Sequence, residues 1–455
     1  MTSSTASGAE ITAPPRTTVG KVAAASLAGT AIEYYDFAIY GLAAALVFPQ
    51  LFFAGSSPVV GTLASFGTFA VGFIARPLGG ILFGHFGDRI GRKPMLVITL
   101  VLMGVCSTAI GLLPTHEQVG VWAPVLLVLL RITQGIAFGG EWGGAVLMAF
   151  EYSPPNRRGF FAAVPQVGPT VGALAGNGVF ALVALLPEEQ MLSWGWRIPF
   201  LFSAVLVVIG IFVRSRIAES PDFLEVKNDG VEARVPLLEV IRNDMSRVLL
   251  VVAGYFGFGA FAAVGISWMV KYGTGTVGVA PSSLLATMMM ANVIQVPVLL
   301  VSGSLADRWG HRKLFLVGPP LAAIGIFVLF AGVNTGIPLG VFVGYAVGQA
   351  IFYGISFGAL PSLFADAFDS RVRYTGMSLG YQLGNVVGTG LTPLIATLLL
   401  DATGSGYAVA TYVAVTIGIS MLALLRLTSI VTAGTAGPVV APDRTADLES
   451  APPAM

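Results

Sequence analysis

Charge, cysteine and histidine are scarce in this chain of 455 residues, and each scarcity narrows what the chain can be. Asp, Glu, Lys and Arg together make up 10% of it, where a soluble domain carries about a quarter. The lone Cys106 leaves no disulfide framework to build. The histidines, His85, His116 and His311, read as loop residues outside the apolar stretches. No metal-ligating or nucleophilic constellation is therefore expected inside those stretches, and no metal or cofactor is called for. A net charge of +1 offers nothing to nucleic acid. A membrane-embedded enzyme and a nucleic-acid binder are both poor fits.

What the chain has instead is apolar sequence, 55% of its residues. Stretches of ~20 apolar residues recur, each long enough to cross a bilayer core of about 30 Å. They lack the alternation of a membrane barrel, so the backbone must close its hydrogen bonds as helices. Spans are expected at 22–48, 58–83, 95–113, 122–148, 160–186 and 196–214, then at 249–272, 283–304, 314–333, 338–364, 375–399 and 406–427. The expected fold is an all-α membrane protein of twelve helices in two six-helix bundles, residues 22–214 and 249–427, joined by a polar connection at 215–248. Residues 1–21 and 428–455, rich in Ser, Thr, Ala, Gly and Pro, read as disordered tails, the first being no cleaved leader.

Orientation follows from Lys and Arg in the short loops. Arg89, Arg92 and Lys93 follow span 2, and Arg157 and Arg158 follow span 4. Arg308, Arg312 and Lys313 follow span 8, and Arg371 and Arg373 follow span 10. The loops on the other side hold Glu117, Glu188, Glu189 and Asp401. Both termini are expected in the cytoplasm, with the protein multi-pass in a cell (inner) membrane.

An internal repeat organises the chain. GHFGDRIGRK at 84–93 and GSLADRWGHRK at 303–313 each set a Gly, then Asp-Arg four residues on, then Gly and a basic pair. Glu151 precedes Arg158 by the same interval as Asp366 precedes Arg373. Matching elements in matching loops imply parallel repeats about an axis along the membrane normal. Gly91 and Gly310 permit the tight reversal. Gly84, Asp88, Arg89, Gly91, Arg92, Glu151 and Arg158, with Asp307, Arg308, Gly310, Asp366 and Arg373, form a candidate charge latch that holds one arrangement of the halves and breaks in another.

These loops resemble the hallmark of the major facilitator superfamily. Further segments narrow the resemblance: AIEYYDFAIYG at 31–41, ARPLGG at 75–80, RITQGIAFGGEWGG at 131–144, EYSPPNRRG at 151–159 and WGWRIPF at 194–200. Together they look like the metabolite:proton symporter family, with GGEWGG closer to its shikimate-type members than to osmolyte carriers. The resemblance spans about residues 22–427. It implies alternating access, protons and a small polar substrate as partners, uptake by symport, and a monomer. A proton-coupled exporter is the alternative, since Gly168-Pro169 with Gly172 partly resembles an antiporter motif; a proline or betaine symporter is another.

Charged groups inside a bilayer are costly and are functional or paired by default. The first half holds five: Glu33, Asp36, Arg76, Arg131 and Glu141. In the fold implied by the resemblance, spans 1 and 4 line a central cavity. Glu33, Asp36 and Arg131 are thus candidates for proton coupling, with a carboxylate–Arg131 pairing in one state. Tyr40, Arg131, Gln349 and Tyr353 are candidate substrate contacts, and Arg76 with Glu141 a structural pair or inner gate. Gly168, Gly172 and Gly176, and Gly376, Gly380, Gly384 and Gly388, form ladders expected to serve as sliding faces between the halves.

Overall fold

The computed structural model describes residues 19–55, 58–183, 185–215, 219 and 236–435. Both expected tails and most of the central connection lie outside the described residues. Twelve helical crossings run through the rest. In the first half they are α1 (Val19–Leu46), α2 (Pro58–Ile90), α3 (Arg92–Leu112), α4 (Trp122–Glu151), α5 (Arg158–Ala163 continuing through Val164–Val167 to Gly168–Val183) and α6 (Arg197–Ser215). The second half contains α7 (Pro236–Val277), α8 (Pro281–Trp309), α9 (His311–Asn334), α10 (Pro338–Asp366), α11 (Arg373–Thr403) and α12 (Gly406–Thr435). Nine of the described runs are long and apolar enough to cross a membrane by length and composition alone. Leu78, Leu82, Val208, Leu394 and Leu422 are among the large apolar side chains left on the outside, as a lipid-facing surface requires.

The spans are longer than their apolar runs. α2 carries the first repeated loop almost to its end and stops at Gly91, whose φ of 121° only glycine adopts readily. α8 stops in the same way at Gly310, φ 77°. His85 consequently sits in the last turns of α2 and His311 opens α9, where the sequence had suggested loops. In the central connection, Glu219 accepts the backbone N–H groups of Arg92 and Lys93 at 3.0 and 3.1 Å, capping α3.

Glycines set the packing, but not as the sequence suggested. A side chain at Gly168, Gly172 or Gly176 of α5 would collide with Thr30, Ala31, Tyr35 and Ala38 of α1. One at Gly380, Gly384 or Gly388 of α11 would meet Val251, Tyr255 and Phe256 of α7. Both ladders are spent inside their own halves, locking α5 on α1 and α11 on α7. The faces turned to the other half are different ones. On α2, Gly80, Gly84 and Gly87 lie against Gln382, Thr375 and Tyr374 of α11. On α5, Gly159 lies against Gly303 of α8. These α2–α11 and α5–α8 contacts are equivalent under the repeat.

Candidate functional site

The repeated loops meet the opposite half at helix starts. Asp88 accepts the backbone N–H of Thr375 at 2.9 Å, its hydroxyl at 2.8 Å and the N–H of Tyr374 at 3.3 Å. Asp307 accepts the N–H groups of Gly159 and Phe160 at 2.7 and 2.9 Å. Each carboxylate therefore caps a helix of the other half, where free N–H groups and the helix dipole favour negative charge. Around Asp88 the network is ionic as well. Arg92 lies 3.4 Å from Asp88 and 3.6 Å from Glu151 and donates to the Ser370 carbonyl at 3.1 Å; Arg373 reaches Glu151 at 3.3 Å.

Not every expected latch residue joins this network. Arg89 and Arg308 are exposed. Arg158 lies over the Phe150 ring, 4.7 Å from its centre, and among the described residues Asp366 makes no ion pair within 4 Å. The repeat is thus echoed in the two caps but not in the surrounding charges.

Above the latch, α11 lies in a notch of α4. Tyr374 donates to the Gly140 carbonyl at 2.5 Å, Gln382 donates to the Gly139 carbonyl at 3.0 Å, and Ser378 fills the space a side chain at Gly143 would need. Trp142 stacks on Tyr381 and donates to Gln166 at 2.7 Å. The GGEWGG segment is therefore, first of all, a seat for a helix of the other half.

A buried polar layer runs through the middle of the first half. Asp36 accepts from Ser203 at 2.5 Å. Arg131 donates to Gln134 at 2.8 Å, and Gln134 donates to Ser107 at 2.6 Å. The Arg131 guanidinium also lies 4.0 Å from the centre of the Tyr40 ring, and the Tyr40 hydroxyl is 2.6 Å from that of Thr68. Tyr40 thus supports Arg131 from beneath. Among the described residues no ion pair within 4 Å joins Asp36 to Arg131; Gln134 connects Arg131 to Ser107 of α3, while Asp36 Oδ2 accepts no hydrogen bond. Glu33 is 1% exposed, and among the described residues neither of its oxygens has a hydrogen-bond partner.

The expected Arg76–Glu141 pair is not formed. Glu141 pairs with Arg214 of α6 and accepts from Thr99 at 3.1 Å. Gly29 makes this possible, because any side chain there would occupy the volume of the Arg214 guanidinium. Arg76 instead lies between the rings of Phe73 and Phe138, 3.9 and 3.6 Å from their centres. Sequence reasoning overlooked Arg214 because it stands at the end of its span and reads as a loop charge, yet it is buried at 4% exposure.

Glu33, Asp36, Arg76, Arg131 and Gln134 line one small cavity with Phe37 and Phe138, with room for about one water. The second-half candidates lie elsewhere. Gln349 is buried against Gly265 of α7, and Tyr353 stacks on Phe261 and Phe357, 4.7 and 4.9 Å between ring centres.

The sequence profile of the Major Facilitator Superfamily matches residues 26–379 and 274–446. The inner membrane metabolite transport protein YhjE of Escherichia coli is 40% identical over 416 residues, covering 89% of this chain and 93% of that protein. The shikimate transporter of the same organism is 37% identical over 396 residues, covering 86% and 90%. Among solved structures, the proton:xylose symporter XylE bound to 6-bromo-6-deoxy-D-glucose aligns with a TM-score of 0.72 at 18% identity, covering 91% of this chain and 96% of that one. FucP in its outward conformation aligns with a TM-score of 0.62 at 14% identity, covering 88% and 98%. At such identities the likeness is one of fold. These relatives are transporters, not enzymes.

Proposed function

The chain belongs to the major facilitator superfamily, and from that premise we propose that it takes up a small organic acid by proton symport through alternating access. The observation that carries this reading is a small cavity lined within the first half by two carboxylates and two guanidiniums. Charge is expensive there unless it is exchanged for something in the working cycle. Asp36 is the proton carrier in this reading, held by Ser203 and facing the same cavity as Arg131. Glu33, without a hydrogen-bond partner among the described residues, takes a second share of the same field.

In this reading the basic loops face the cytoplasm, and the latch and both termini with them. The caps from Asp88 and Asp307, with the α4–α11 seat, then close the cytoplasmic end. Rocking the halves apart breaks these contacts and opens the site inward. The relatives' names include a shikimate transporter and, at 31% identity, a glycine betaine/proline/ectoine/pipecolic acid transporter of Dickeya dadantii. The guanidiniums at the cavity suit a carboxylate, which both classes carry; the higher identity to the shikimate transporter, 37% against 31%, favours the acid.

The test uses purified protein in proteoliposomes with a pH dye, challenged with shikimate, other organic acids, betaine and proline. Alkalinisation outside on adding an acid supports symport. Silence for every acid beside a working control sinks the reading, and a response to betaine or proline alone moves it to an osmolyte carrier.

A further inference from the structure

Two buried guanidiniums face the same cavity, and they are not equivalent. Arg131 is engaged with Gln134 and Tyr40. Arg76 is 4% exposed, yet among the described residues it donates no hydrogen bond and has no carboxylate within ion-pair distance. Its neighbours are rings: Phe73 at 3.9 Å, Phe138 at 3.6 Å and Phe37 at 5.3 Å from the guanidinium carbon. Cation–π contact recovers only part of what a buried cation loses in leaving water. An anion is the missing partner.

From this juxtaposition we propose that Arg76 is the residue that receives the carboxylate of the transported acid. The inference rests on the organic-acid reading above and specifies its binding residue. Rings over the guanidinium restrict approach to its edge, where the parallel N–H groups match the two oxygens of a carboxylate. A neutral polyol offers no anion to pair there.

Position supports the assignment. Arg76 lies 14 residues before the end of α2 and Glu33 14 residues after the start of α1, so both stand ~21 Å in from the latch end. Phe138, which lies on Arg76, also meets Tyr34 of α1, with 5.6 Å between ring centres. One turn further along α2, Gly80 touches Gln382 of α11. A carboxylate on Arg76 thus sits about one helical turn from that seam, where it can bias how the halves pack. Glu33, facing the same cavity, competes for Arg76 when ionised and yields it when protonated, which ties the proton to the substrate.

The experiment measures binding and counterflow of labelled shikimate and of its uncharged methyl ester with the full-length protein in proteoliposomes. Where shikimate gives no proton movement, the acid that does and its methyl ester take their place. The expected result is that Arg76→Gln weakens the acid by about 100-fold or more, the scale of a lost charge-assisted contact, and leaves ester affinity within about threefold. Arg76→Lys recovers part of the loss and, if Arg76→Gln does not fold, carries the test through its acid-to-ester ratio. Thermal melting with each ligand separates a folding defect from a binding one. An unchanged acid-to-ester ratio in both Arg76 variants, with that ratio abolished in Arg131→Gln, overturns the inference and leaves acid symport standing. A wild-type protein that moves no acid overturns both.

Discussion

Trp142 of α4 and Tyr381 of α11 lie face to face, their ring centres 3.5 Å apart and their planes 8° from parallel. The pair joins the two halves just above the latch, and Tyr255 of α7 meets the outer edge of Tyr381 at 4.7 Å between ring centres. Such a pair contributes about 0.5–1.5 kcal/mol beyond its buried area. Trp142→Leu should therefore shift the protein toward the arrangement open at the latch end by roughly 2–12-fold. Spin labels on exposed Arg89 and Arg308 in a Cys106→Ala background report the separation. An unaltered distance distribution would mean that the stack does not hold the closed state.

The two aspartate caps should differ in strength. Asp88 is buried, accepts three hydrogen bonds and has Arg92 beside it, whereas Asp307 is half-buried and accepts two. Asp88→Asn should weaken closure by about 1–2 kcal/mol, or roughly 5–30-fold in population, at the upper end of helix-terminus effects. Asp307→Asn should do the same by less. The same pair of labels ranks them, and equal shifts would contradict the asymmetry.

Asp36→Asn keeps an oxygen to accept from Ser203 but cannot carry a proton charge. Accumulation driven by a pH gradient should be lost while exchange of preloaded substrate persists. Uptake against a gradient measured beside counterflow separates these outcomes. Undiminished accumulation would remove Asp36 from coupling.

Glu141 and Arg214 form an ion pair with both side chains nearly inaccessible to solvent. Removing one partner strands the other, at a cost of about 3–5 kcal/mol. Glu141→Gln and Arg214→Met should each lower the melting temperature of the detergent-solubilised protein strongly. The double variant should lose less than the sum of the two, and strict additivity would show that the pair acts through separate neighbours.

Much of the fold was legible in the chain because bilayer length and loop charge act locally. Helix count, the repeated loops and the two six-helix halves need only runs of ~20 apolar residues and the positions of Gly, Asp and Arg. The glycine ladders were legible as packing faces, but not the partners they pack against. Gly172 and Gly384 carry the same spacing signal whether the facing helix belongs to their own half or to the other. The GGEWGG segment announced itself by composition, yet only the approach of Tyr374, Ser378 and Gln382 explains why its residues are so small.

Sequence alone determined that this chain crosses a membrane about twelve times, that its halves repeat, and that five charges are buried in the first. Those conclusions follow from solvation, which each segment feels independently of the others. The tertiary structure decided how those charges are partnered. Glu141 belongs to Arg214 because Gly29, more than a hundred residues before that arginine, leaves it space. Arg76 is left among phenylalanine rings because Phe138, not Glu141, takes the facing position. Pairing at a few ångströms depends on how helices rotate and approach, and no spacing along a single helix encodes that.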